Sequence, residues 1–388
     1  MKFYKGMDIS TIKEVESLGG KFYDHGAEKD VFEILKSYGT NAVRLRLWND
    51  PYSEDGTPYG AGTNDLPTTI ELAKRAKAHG MEVLLCMHYS DFWADPGKQR
   101  VPKAWRGMGV EELIEAVYAF TRDTLLTLRD AGAYPDLIQI GNELTNGMLW
   151  PLGKLLECGN YDNLARFVSS GIRAVRFLDA EIPVMIHLDN GGNAPMYRDW
   201  FDHYIERGED FQMIGLSYYP FWHGSLSDLQ KNMNDLAMRY GKELVIAEVS
   251  MGYTMEDYAS YEKLEANERK GYATKPALVE KLPYPMTRDG QADFMQALFR
   301  VIDQVPEKKC RGFFYWEPAW IPVPGSGWAN EEALKYIEEK GPGGNEWANQ
   351  ALFDYDGQSL PALEVIREYQ PDSRENVGGE SFSEEGKR

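Results

Sequence analysis

The chain has 388 residues, 43% of them hydrophobic, with 61 acidic against 42 basic side chains and a formal net charge of -19. This length exceeds the usual single-core domain but is within the reach of (β/α)8 barrels with loop insertions, and the charge disfavours nucleic acid and anionic membranes as partners. Aromatic residues make up 13%, with 10 Trp and 23 Tyr, more than a core needs and suited to flat ligands such as sugars that stack on rings.

In chain order, the apolar runs and their breakers predict eight strands: Lys5–Ile9, Ala42–Trp48, Glu82–His88, Leu137–Glu143, Val184–His187, Met213–Tyr218, Leu244–Glu248 and Gly312–Trp316. Helical patterns separate them, which predicts an α/β fold with a parallel sheet, here a single (β/α)8 TIM barrel over residues 1–370. Gly39, Gly80, Gly132 and Gly241 stand at helix ends before strands and are expected as left-handed C-caps, so the αβ turns are short. The stretches 49–66, 88–108, 250–288 and 317–350, which follow strands, are long and rich in Trp, Tyr, Pro, Asp and Asn. Long βα loops on the C-terminal face mark that face as the place of chemistry. Residues 371–388 are rich in Ser, Gly and Glu and are read as a disordered acidic and polar tail.

The amino terminus lacks an apolar signal core, and no run is long enough to cross a bilayer. The expected compartment is cytoplasmic if Met1 is the natural start, and extracellular if a leader has been removed. Cys86, Cys158 and Cys310 are widely spaced, which implies neither a disulfide framework nor a metal cluster; Cys86 and Cys310 read as small buried hydrophobes beside strands.

Two segments carry chemistry. Ile140-Gly141-Asn142-Glu143-Leu144 and Val245-Ile246-Ala247-Glu248-Val249 each follow an apolar strand pattern that closes on a glutamate, at the strand end where barrel enzymes place reacting groups. Paired carboxylates in that position suit a glycosidase. In the strand over Val43–Trp48, alternation sends Val43, Leu45 and Leu47 under the helices and Arg44, Arg46 and Trp48 into the barrel. A guanidinium there requires carboxylates, and Glu143 and Glu248 are the natural partners. Arg44, the deeper one, reads equally well as part of a structural ion pair, whereas Arg46, nearer the mouth, is the better functional candidate.

These residues sit in longer segments that resemble glycoside hydrolase family 53, the arabinogalactan endo-β-1,4-galactanases of clan A. The segments are Gly6-Met7-Asp8-Ile9-Ser10, Arg44-Leu45-Arg46-Leu47-Trp48-Asn49-Asp50-Pro51, His88-Tyr89-Ser90-Asp91-Phe92-Trp93-Ala94-Asp95-Pro96-Gly97, Gly141-Asn142-Glu143, His187-Leu188-Asp189-Asn190-Gly191, Ser217-Tyr218-Tyr219-Pro220, Ala247-Glu248 and Trp347-Ala348-Asn349-Gln350-Ala351-Leu352-Phe353-Asp354. They occur in order over nearly the whole chain. An Asn-Glu pair alone is shared by many clan A enzymes; the segment beginning at His88 is far more specific.

The resemblance implies a retaining endo-glycosidase acting on β-1,4-galactan or galacto-oligosaccharides, with Glu248 as nucleophile and Glu143 as acid/base. Arg46 and Tyr218 are then expected to steady Glu248, and Asn142 to bind the hydroxyl beside the anomeric carbon. His88 and His187 are expected as substrate contacts and Trp316 as the platform beneath the cleaved sugar. Trp93, Trp320 and Trp347 either extend that platform or pin their own loops. Asp91, Asp95, Asp189 and Asn190 either bind hydroxyls or cap turns. Bacterial family members often hold calcium in the loop after strand seven through an Asp-Gly-Asp-Gly-His-Gly-Asn type segment; here positions 253–262 lack that oxygen cluster, and no metal or cofactor is predicted. The expected partner is the glycan alone, bound by a monomer. The alternatives are another clan A specificity, mannanase or cellulase, and a sugar-binding barrel without catalysis.

Overall fold

A computed structural model describes residues 2–155, 161–256, 274–341 and 343–371. Eight parallel strands close into a barrel: β1 Tyr4–Asp8, β2 Ala42–Leu47, β3 Glu82–Met87, β4 Leu137–Ile140, β5 Val184–Leu188, β6 Met213–Tyr218, β7 Glu243–Val249 and β8 Cys310–Trp316. Each strand pairs with its sequence neighbours, and β8 closes against β1. Helices Val31–Ser37, Leu66–Ala78, Val110–Asp130, Tyr161–Leu178, Ala194–Ile205, Leu226–Tyr240, Arg288–Asp303 and Pro361–Glu368 follow the strands in turn, so the fold is the expected (β/α)8 barrel. The tail from position 372 and Cys158 lie outside the described residues.

Gly39, Gly80, Gly132 and Gly241 all adopt positive φ, between 65° and 87°, as their places at helix ends predict. The fourth strand is shorter than its apolar pattern suggests. It ends at Ile140 because Gly141 turns into left-handed backbone at φ 72° and Glu143 follows at φ 48°. A non-glycine residue held there costs about 1–3 kcal/mol and persists only where its surroundings over-determine it, a pattern concentrated at functional sites.

The barrel interior is filled by Tyr4, Ala42, Leu84, Leu137, Met185, Met213, Val245, Ala247 and Phe314. Gly6 makes room for Phe314: a Cβ there would lie 2.2 Å from the ring. A second apolar cluster, including Val43, Leu45 and Leu47, fills the space between barrel and helices, so β2 alternates as its sequence predicts. Strict alternation breaks once where it matters. Val245 and Ala247 both face the interior, which would send Glu248 outward, but the β6–β7 register steps from Leu216↔Ile246 to Ser217↔Glu248. That extra residue is a bulge, and it re-aims Glu248 into the barrel.

Candidate active site

At the C-terminal face a cleft of about 390 Å³ is lined by Glu143 and Glu248 together with Arg46, His88, Trp93, Asp95, Asn142, Asp189, Trp316 and Trp347. Glu143 and Glu248 are 8% and 6% exposed. One carboxylate oxygen of each and a ring nitrogen of His187 all lie within 4.8 Å of one another. Carboxyls this close leave no room for a water between them and suit double displacement; inverting pairs stand about 6.5–9.5 Å apart.

The two glutamates have different surroundings. Glu248 Oε1 lies 2.9 Å from Arg44 Nη2, and the Tyr219 hydroxyl donates to Oε2 at 2.8 Å. Glu143 Oε1 accepts from Ser217 Oγ at 2.6 Å, and no cation pairs with this carboxylate among the described residues. Burial pushes both carboxyls up, but at Glu248 the Arg44 charge pulls the other way, whereas at Glu143 the charge of Glu248 adds to burial. Glu143 is therefore held well above the ordinary carboxylate range and is the member of the pair that keeps a proton.

Beneath the pair lies a buried ionic network. Arg44 Nη1 pairs with Asp8 at 2.6 Å, Arg46 Nη1 with the other Asp8 oxygen at 3.0 Å, and Arg46 Nη2 with Glu317 at 2.5 Å. Thr11 Oγ1 donates to the second Glu317 oxygen at 2.5 Å. The guanidinium of Arg46 also sits 4.6 Å from the Trp93 ring centre and 5.8 Å from that of Trp316, so it braces the two indoles that wall the cleft.

Four expected positions are corrected. Tyr218 does not steady Glu248: its hydroxyl donates to Gly224 O at 3.0 Å and its ring stacks on Phe294, outside the barrel. The next residue, Tyr219, makes that contact. Nor does Arg46 reach Glu248; Arg44 does, so the deeper arginine is the one at the carboxylate. Asp91 is buried away from the cleft, where it accepts from Asp50 N at 3.0 Å and Lys103 N at 2.6 Å and ties two loops together, the capping use of a loop aspartate.

His187 is likewise enclosed, with both ring nitrogens engaged and no face on the cleft, so the reading of it as a substrate contact does not hold. His88 differs. Its Nδ1 accepts from Trp48 Nε1 at 3.3 Å and Ala94 N at 3.4 Å, which leaves the Nε2 proton without a partner among the described residues. Burial drives both imidazoles well below their ordinary value, so both are neutral.

Asn142 Nδ2 gives one hydrogen to Ala94 O at 2.9 Å, and its Oδ1 accepts from Arg44 Nη2 at 2.7 Å, which fixes the amide at the cleft floor. Trp93 lines the cleft and is also anchored through Nε1 to Trp328 O at 2.9 Å. Trp347 meets Trp316 edge-on at 5.3 Å, and Trp320 is a buried loop pin bonded to Ser326. Asp95 and Asp189 reach the cleft, Asp189 held by the Thr145 hydroxyl, while Asn190 sits in the turn before the next helix at φ 54°.

Cys86 is not the simple hydrophobe expected: Arg44 Nη2 lies 3.3 Å from its sulfur, and burial lifts the thiol to about 12. The trio Glu143, His187 and Glu248 has the spacing of metal ligands, but His187 is fully hydrogen-bonded and Glu248 is paired with Arg44, which commits them otherwise. Of the segment after β7, positions 257–262 lie outside the described residues. The sequence pattern missed Asp8, Ser217, Tyr219 and Glu317; alternation within β1 and β6 carries a signal for Asp8 and Ser217, whereas Tyr219 and Glu317 stand just past the ends of β6 and β8.

The model of Glycosyl hydrolase family 53 matches residues 4–366. The chain belongs to this family. It is 37% identical to the endo-beta-1,4-galactanase of Bacillus subtilis (strain 168), covering 94% of this chain and 85% of that one, and 33% identical to the arabinogalactan endo-beta-1,4-galactanase of Humicola insolens, covering 94% of this chain and 98% of that one. Among solved structures, the Ignisphaera aggregans GH53 catalytic domain superposes with a TM-score of 0.85 at 39% identity, covering 94% of this chain and 96% of that chain. The protein is thus a glycoside hydrolase with the family 53 barrel.

Proposed function

We propose that this family 53 enzyme hydrolyses β-1,4-galactan, or galacto-oligosaccharides derived from it, with retention at the anomeric carbon. The observation that carries the reading is the unequal environment of two carboxyls within 4.8 Å: Glu248 is paired with Arg44 and Glu143 is not. Glu248 attacks the anomeric carbon while Glu143 protonates the departing oxygen; Glu143, then ionised, takes a proton from the water that releases the sugar. The Arg44 charge and the Tyr219 hydroxyl keep the nucleophile ionised. His88 Nε2 and Asn142 Nδ2 supply hydrogens to the sugar in the cleaved subsite. Trp316, braced by Arg46, gives the apolar face on which a pyranose packs. The galactan assignment draws on the relatives named above.

Reducing-sugar release from galactan, mannan, xylan and carboxymethylcellulose tests the reading. The expected result is activity on galactan that collapses in Glu143→Ala and Glu248→Ala; activity confined to another polymer overturns the specificity, and activity that survives either substitution overturns the roles.

A further inference from the structure

His187 lies outside the cleft, yet its hydrogen bonds lead to it. Gln139, on β4, starts the chain. Arg44 Nε, which can only donate, lies 3.1 Å from Gln139 Oε1, so the amide must turn its Nε2 hydrogens the other way. Those hydrogens meet Gly141 O at 2.7 Å, Asn142 Oδ1 at 3.0 Å and His187 Nδ1 at 3.1 Å. Asn142 Oδ1 already accepts from Arg44 Nη2, and His187 Nδ1 also lies 3.1 Å from it. A proton on Nδ1 would send the second Gln139 hydrogen to Oδ1 as well and crowd three donors, Arg44, Gln139 and His187, onto that one oxygen. With Nδ1 accepting from Gln139, every donor has an acceptor.

The neutral imidazole then carries its proton on Nε2, which lies 2.8 Å from Ser217 Oγ. Ser217 accepts that proton and so directs its own hydroxyl hydrogen to Glu143 Oε1 at 2.6 Å. Among the described residues none donates to Glu143 Oε2. An Oε1 that accepts a hydrogen bond cannot also hold the acidic proton in that direction.

We propose that Ser217, its hydroxyl oriented by His187, is a positioning residue that keeps the transferable proton of Glu143 on Oε2. This rests on the reading of Glu143 as the general acid. The proton then sits on the oxygen that Ser217 leaves for the departing group, which takes it as its bond to the anomeric carbon breaks. The groups that face this chain are Arg44 from β2, His88 beyond β3, Gln139 from β4, His223 beyond β6 and Glu248 from β7, with Asp95 and Asp189 toward Glu143. His223 is neutral, lowered by burial to about 4, so Arg44 is the nearest fixed cation.

The test compares aryl β-galactobiosides with poor (phenyl) and good (dinitrophenyl) leaving groups in wild type, Ser217→Ala, Ser217→Thr and Glu143→Ala, together with pH profiles. General acid catalysis supplies about 10²–10⁴-fold, and only for leaving groups that need the proton. Ser217→Ala is expected to lose about 10-fold or more on the phenyl substrate and less than about 2-fold on the dinitrophenyl one. Its basic limb moves to higher pH, because the lost hydrogen bond favoured ionised Glu143. Ser217→Thr, which keeps the hydroxyl, restores the wild-type leaving-group dependence. Equal losses on both substrates, or an unmoved basic limb, overturn the proposal. If Glu143→Ala itself shows no leaving-group dependence and no rescue by azide, the assignment of Glu143 fails, not the relay alone.

Discussion

Arg44 Nη2 stands 2.9 Å from Glu248 Oε1 and 2.7 Å from Asn142 Oδ1, so one guanidinium from β2 joins the chain segments that follow β4 to the end of β7. It is fully buried and donates in four directions, which a lysine cannot reproduce. Arg44→Lys is expected to lower kcat by about 100-fold or more, the usual scale for losing a preorganised electrostatic contact. Unfolding should also come earlier, since breaking a buried pair costs about 3–5 kcal/mol. Steady-state kinetics with a denaturant titration would check both; a lysine variant of wild-type rate would refute the role.

The two adjacent tyrosines separate a catalytic contact from a structural one. Tyr219→Phe removes the hydroxyl on Glu248 and should cost about 10-fold or more in kcat. Tyr218→Phe removes a bond to Gly224 O and should cost about 1 kcal/mol of stability while kcat stays within about 2-fold. The reverse pattern would restore the sequence-based assignment to Tyr218.

The raised Glu143 carboxyl has a stability cost whose sign follows from linkage. Burial and the Glu248 charge place its folded-state value above its unfolded one, so the folded state binds the proton more tightly. This favours folding at acid pH and is lost as pH rises through the folded value. Glu143→Gln, which cannot ionise, should therefore melt higher than wild type at neutral and alkaline pH, with the gap closing toward acid. Glu248→Gln should lower the Glu143 titration midpoint in carboxyl NMR, and an unchanged midpoint would show that the two do not sense each other.

Asp91 ties the loop after β3 to the backbone at Asp50 and Lys103. Asp91→Ala removes the acceptor of two part-buried backbone amides and should cost about 0.5–1.5 kcal/mol each in stability. Saturation curves on galactan should keep KM within a factor of about two, unlike Trp316→Ala, which removes the stacking surface and should raise KM about 10-fold, near 1 kcal/mol of aromatic contact and more with the buried area.

Much of the architecture was legible because it rests on local rules: eight apolar strands, glycines at helix ends, and β2 alternation that sent both arginines inward. The glutamate pair was legible because each closes an apolar run. What was not legible depends on three-dimensional closure. Which arginine meets Glu248 turns on how deep each strand sits, and the Asp8–Arg46–Glu317 pairing joins positions from opposite ends of the chain. Tyr219 replaced Tyr218 because β6 ends at Tyr218 and the chain turns immediately after it. His187 lies inside the barrel, as its strand parity predicts, but below the cleft.

The bulge at Ala247 makes the aim of the nucleophile a matter of counting. Every other contact of Glu248 is chemical and tolerates some adjustment, but its direction into the barrel depends on one uncompensated residue between Ile246 and its neighbour. Without the bulge, in regular alternation, Ala247 would take the place opposite Ser217 and the carboxylate of Glu248 would turn under the helices. In this barrel the length of a strand, measured in single residues, is as much a part of the catalytic apparatus as any side chain it carries.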